Sequence, residues 1–124
     1  LCAGDATKTL PKYLSDNPET IIALAYFDFD VYEPTRICLE AIKPRLVKGS
    51  ILGFDELNDP DSPGETLALM EVFGLNNIKL KRFPYASRTS YFVVENNKQR
   101  GIDPTRGWRQ ARVSKDLLYL PAVH

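Results

Sequence analysis

Four acidic side chains in two short clusters carry the clearest chemical signal in this chain. Asp28 and Asp30 follow an apolar run over residues 20–28 (TIIALAYFD), and Asp55 and Glu56 close a second run over residues 50–55 (SILGFD). Carboxylate oxygens gathered in this way are hard ligands of the kind magnesium and calcium prefer. The same residues also read as solvated acids at strand ends and helix caps. The choice depends on the elements that position them, because the two clusters are far apart in sequence.

Nearly unbroken apolar runs mark strands buried on both faces. Between the two runs, Pro34 suits the first turn of a helix, where its missing N–H would be unpaired anyway. Cys38, Leu39, Ile42 and Leu46 follow it at helical spacing. A helix over 34–46, closed by Gly49, makes a strand–helix–strand unit, which implies a right-handed parallel crossover. Ligands gather at the carboxyl ends of strands in such sheets, so Asp28 and Asp55 become neighbours there, with Asp30 and Glu56 just beyond.

The flanking residues complete the pattern. A short helix fits 7–14, residues 56–64 are rich in Asp, Asn and Pro and read as a loop, and a helix over 65–73 stops at Gly74. Strands over 78–83 and 90–95 are close enough to form an antiparallel hairpin. Met70, Phe73, Tyr91 and Phe92 are assigned to the core.

Composition narrows the function classes. A chain of 124 residues supports one core, and its 16 basic and 16 acidic residues give no global attraction to nucleic acid or anionic membranes. No stretch reaches the roughly 20 apolar residues of a membrane span, and the start lacks a signal-peptide pattern. A soluble, cytoplasmic protein is expected. Cys2 and Cys38 show neither a CxxC spacing nor a disulfide framework and read as reduced and structural. The structured pattern begins almost at Leu1, so a segment of a longer protein is expected.

Residues 1–95 form the folded unit in this reading, and residues 96–124 a basic carboxyl-terminal tail. The tail holds Lys98, Arg100, Arg106, Arg109, Arg112 and Lys115 against Asp103 and Asp116. With Trp108 it invites a nucleic-acid reading. A solvated tail or packing arm is favoured over it, because the basic residues are spread out and one aromatic accompanies them.

The run IALAYFDFDVYEPTRICLEAIKPRLVKGSILGFDEL, residues 22–57, resembles the fourth strand, following helix and fifth strand of the macrocin O-methyltransferase group of class I S-adenosylmethionine-dependent methyltransferases. Asp28, Asp30, Tyr32, Glu33 and Thr35 fall on its Asp-x-Asp-Leu-Tyr-Glu-Ser-Thr pattern. Pro44, Leu46 and Gly49 fall on the helix end, and Asp55 with Glu56 on the acidic pair. GDATKTLP upstream and Pro63, Gly64 and Glu65 downstream extend the likeness over about residues 4–95.

The resemblance implies the C-terminal half of a Rossmann-like α/β three-layer sandwich, with parallel strands and a terminal antiparallel hairpin. It implies methyl transfer from S-adenosylmethionine to a hydroxyl of a sugar or other small metabolite. It further implies magnesium held by Asp28, Asp55 and Glu56, with Asp28 catalytic and Asp30 and Tyr32 near the substrate. Such an ion would orient two substrate oxygens and lower the pKa of the one to be methylated. Tyr32 equally fits simple packing, and Glu33 an acid at a helix start.

Departures from the pattern are specific. The glycine-rich loop and the ribose-binding acid have no counterpart here, so no cofactor-binding residue is assigned and this chain alone is not expected to methylate. Ser50 replaces the second glycine of the usual pair. The sole histidine, His124, lies at the end of the tail, which leaves the general base unassigned.

Two other classes compete. A haloacid-dehalogenase-type phosphatase also starts from an apolar strand and Asp-x-Asp, which FDFDVYEPT echoes, but that family places a Ser or Thr strand and a lysine before its final acidic pair, whereas one helix separates the two clusters here. A non-enzymatic fragment that assembles into homo-oligomers through an exposed sheet edge is the other. A calcium loop over DELNDPDSPGE fails at Pro63 and at the last ligand position, which is Met70.

Overall fold

The computed structural model describes residues 1–95. Helix α1 (Ala6–Asp16) starts at Asp5, whose carboxylate accepts from the Thr7 amide (3.0 Å) and hydroxyl (2.7 Å). These two bonds pull the Asp5 carboxyl below its usual range. Strand β1 (Ile22–Phe27), helix α2 (Tyr32–Ile42) and strand β2 (Leu46–Phe54) form the parallel crossover unit. Helix α2 begins two residues before Pro34, which still falls in its first turn. It gives way to a 3-10 turn at Lys43–Arg45, so β2 begins at Leu46, inside the stretch expected to be helical.

Helix α3 (Gly64–Phe73) follows the acid-rich loop, and β3 (Lys81–Arg82) and β4 (Ser90–Val93) make the antiparallel pair. The sheet order is β1-β2-β4-β3, with β4 antiparallel to β2. Strand β3 is much shorter than the 78–83 run suggests.

The core lies on one side of this sheet. Phe27, Leu52, Phe54 and Phe92 point toward Leu14 of α1, Cys38, Leu39 and Ile42 of α2, and Ala68, Leu69 and Phe73 of α3. Three rings form a ladder across the strands. Phe27 stacks on Phe54 at 5.1 Å between centroids, Phe54 on Phe92 at 6.3 Å, and Phe73 meets Phe92 edge-on at 5.4 Å. At the helix ends, Lys43 Nζ donates to the Val72 carbonyl at 2.7 Å and lies over the Phe73 ring, tying α2 to α3.

The opposite face is open among the described residues. Leu24, Tyr26 and Ile51 are exposed, which corrects the expectation that both parallel strands are buried on both sides. The described residues thus supply the sheet and one helical layer of a partial Rossmann-like fold. Met70 is also exposed rather than core, because it lies on the outer side of α3. Cys38 is buried, Cys2 is exposed, and both are free thiols. No helix of the described residues is long and apolar enough to cross a membrane. The basic tail, with Trp108 and His124, lies outside the described residues.

Ser50 has a use that a glycine lacks. The β1–β2 register slips between Ile22 and Leu24, and the buried Ser50 hydroxyl spans the irregularity. It donates to the Ile22 carbonyl at 2.7 Å and accepts from the Val47 amide at 2.9 Å.

Candidate functional site

Parallel pairing of β1 and β2 aligns Phe27 with Phe54, so the residues that follow, Asp28 and Asp55, emerge side by side. Oxygen atoms of Asp28, Asp30 and Asp55 lie within 4.8 Å of one another. The sequence expectation that the two strand tips bring their acids together therefore holds. Asp28 and Asp30 are exposed and Asp55 half-buried. Asp55, then partial loss of water and Asp30, push the Asp28 carboxyl above its usual range. The shift follows from negative charges gathered at the two strand tips. Tyr26 donates its hydroxyl to Asp55 at 2.9 Å.

Glu56 is placed differently. Its side chain pairs with Arg88 of the β3–β4 turn at 3.0 Å, and the same guanidinium reaches Asp59 at 3.1 Å. The structure thus brings together Asp28, Asp55 and Asp30, and turns the Glu56 carboxylate toward Arg88. Tyr32 sits at the start of α2 with its hydroxyl donating to Glu71 of α3.

Glu65 and Gly64, which enter the sequence reading only as part of the family likeness, complete the site. Glu65, in the first turn of α3, is fully buried. One of its oxygens accepts from the amides of Phe29 (3.1 Å) and Asp30 (3.4 Å), and the other from the amide of Glu56 (3.1 Å). Burial pushes its carboxyl up, while the three N–H bonds pull against that shift. Asp30 has a left-handed backbone (φ 61°), a conformation aspartate tolerates better than most residues.

Gly64 explains how Glu65 comes so close. A Cβ there would lie 2.4 Å from the Tyr32 nitrogen, 2.6 Å from the Val31 carbonyl carbon and 2.7 Å from the Asp30 oxygen. Only a residue without a side chain lets α3 abut the start of α2. The Pro-Gly-Glu order was the available hint, since glycine at a helix start marks close approach as well as a turn.

Comparison with solved structures finds the chain similar, over part of its length, to a sugar O-methyltransferase of the class I S-adenosylmethionine-dependent family, as a segment of such an enzyme would be. One is the apo structure of CalS11, a TDP-rhamnose 3'-O-methyltransferase in calicheamicin biosynthesis. It is 49% identical, with a TM-score of 0.73, over 77% of this chain and 42% of that one. A second crystal structure of CalS11, calicheamicin methyltransferase, matches with the same identity and TM-score over 77% of this chain and 37% of that one. The chain thus spans less than half the length of either. No family model matches the chain, and no curated protein does.

Proposed function

We propose that the protein carrying this segment is a metal-assisted O-methyltransferase that moves a methyl group from S-adenosylmethionine to a hydroxyl of a sugar or similar small metabolite. The observation that carries this reading is the 49% identity to a sugar O-methyltransferase over 77% of this chain, with the acid cluster at the strand tips supporting the metal.

The donor set fits a divalent cation. Three carboxylates from two adjacent strand ends supply hard oxygens, and the raised Asp28 carboxyl reflects repulsion that a cation would relieve. Asp28 and Asp55 would hold such an ion. Asp30 lies within reach, and Glu56 would join once released from Arg88. When bound, magnesium supplies orientation of the acceptor oxygens and a lowered pKa of the reacting hydroxyl. S-adenosylmethionine supplies the electrophilic methyl group.

The chain's own residues present the acceptor. Asp28 is exposed at the strand tip and serves as the catalytic carboxylate, facing the substrate. Tyr26 anchors Asp55 through its hydroxyl, so that carboxylate keeps a fixed direction. Asp30 and Tyr32 border the acceptor side at the start of α2.

The test is calorimetric titration of the intact protein with S-adenosylmethionine, with and without magnesium, repeated for Asp28→Ala and Asp55→Ala. Cofactor binding in all forms, with metal binding lost in both variants, supports the reading. A folded protein that binds no cofactor rules it out.

A second reading, assembly of copies of this chain, is favoured by the apolar outer face of Leu24, Tyr26, Ile51 and Phe83 beside the outermost strand β1. Sedimentation over a range of concentrations tests it, and a monomer throughout removes it. The phosphatase reading finds no support in the solved relatives.

A further inference from the structure

We propose that Glu65 is the positioning residue of this site, a buried clamp that sets the spacing of the acids without touching substrate. The inference rests on the metal-assisted reading above and adds to it a residue outside the acid cluster.

The two acid-bearing turns belong to different strands and share no backbone pairing beyond the Asp55 amide, which donates to the Phe27 carbonyl at 2.9 Å. Past that point the turns would be free to separate, and repulsion among Asp28, Asp30 and Asp55 would drive them apart. Glu65 joins them. One oxygen holds Phe29 and Asp30 on the first turn, and the other holds Glu56 on the second.

Its burial gives the clamp strength, because N–H bonds to a carboxylate away from water are stronger than neutral or solvated ones. Its place at the start of α3 adds the favourable end of the helix dipole. Gly64 makes the position reachable, and the left-handed Asp30, whose amide is one of the three donors, is held where its carboxylate joins the cluster.

The conservative variant Glu65→Gln separates positioning from folding. Its amide oxygen can still accept from Phe29 and Asp30, but its NH2 group would face the Glu56 amide, donor against donor. In the intact protein, Mn2+ affinity followed by the electron paramagnetic resonance signal of free Mn2+ is expected to fall about 10- to 100-fold. S-adenosylmethionine affinity should stay unchanged. Amide exchange should accelerate at Glu56 while the amides of Leu52 and Phe92 keep their protection.

Unchanged Mn2+ affinity overturns the proposal. So does a loss shared equally by cofactor affinity and core protection, since that reports general destabilisation. A wild-type protein that binds no Mn2+ defeats the metal reading instead. Faster exchange confined to the two turns would then still uphold Glu65 as the clamp, and unaltered exchange would remove it.

Discussion

The ring of Tyr26 lies over Gly53 on the neighbouring strand, and from there its hydroxyl reaches Asp55. The two are register partners, and a Cβ on Gly53 would sit 2.9 Å from Tyr26 Cδ2. Gly53→Ala should therefore displace the ring and cost about 1 kcal/mol, the lower end of the usual overpacking cost, since the ring is free to tilt outward. In a Tyr26→Ala background the same change should cost almost nothing. A double-mutant cycle on urea midpoints measures the coupling.

Gly64→Ala is the more severe change. The atoms its methyl group would meet are backbone atoms of Asp30, Val31 and Tyr32, which cannot rotate away. A loss of about 3 kcal/mol is expected despite the better helix propensity of alanine. Chemical denaturation of the variant checks the size of the loss.

Charge gathered at the strand tips makes stability depend on pH. The Asp28 carboxyl titrates above its ordinary value of 3.8, so between that value and its raised one the folded protein holds a proton that the unfolded chain has released. Stability without metal therefore falls as pH rises through that window. Asp28→Asn should flatten the slope and raise the melting temperature at neutral pH. Part of the slope should remain, because Glu65 is shifted in the same direction. Thermal melts at stepped pH in the presence of a chelator measure both effects.

Arg88 competes for Glu56. Arg88→Ala should leave the fold almost as stable, because the guanidinium is largely exposed, but it frees the Glu56 carboxylate and removes a nearby positive charge. Mn2+ affinity is expected to rise several-fold. An unchanged affinity would mean that Glu56 takes no part in binding.

The parallel unit and the meeting of Asp28 with Asp55 were legible in the sequence because two apolar runs end in acids on either side of one helical pattern. The roles of Glu65 and Arg88 were not. An acid in the first turn of a helix has the same local pattern whether it faces water or reaches inward to another element's amides, and its partners here lie 9 to 36 residues away. Likewise, the run at residues 20–28 has no polar alternation to show that Leu24 and Tyr26 are exposed, so nothing in it marks the open face. The exposure of Met70 is hidden for a related reason: α3 is apolar nearly all round, and its sequence does not mark which side is outward.

The phenylalanine ladder also bears on the chemistry. Phe27 immediately precedes Asp28, Phe54 immediately precedes Asp55, and the two rings stack at 5.1 Å with their planes 14° apart. The stacked rings thus brace from the core the same paired strand ends that carry the two acids. An aliphatic replacement such as Phe54→Leu would loosen that brace one residue from Asp55, and a substitution with no charge of its own would be read out as a change in how the acids titrate.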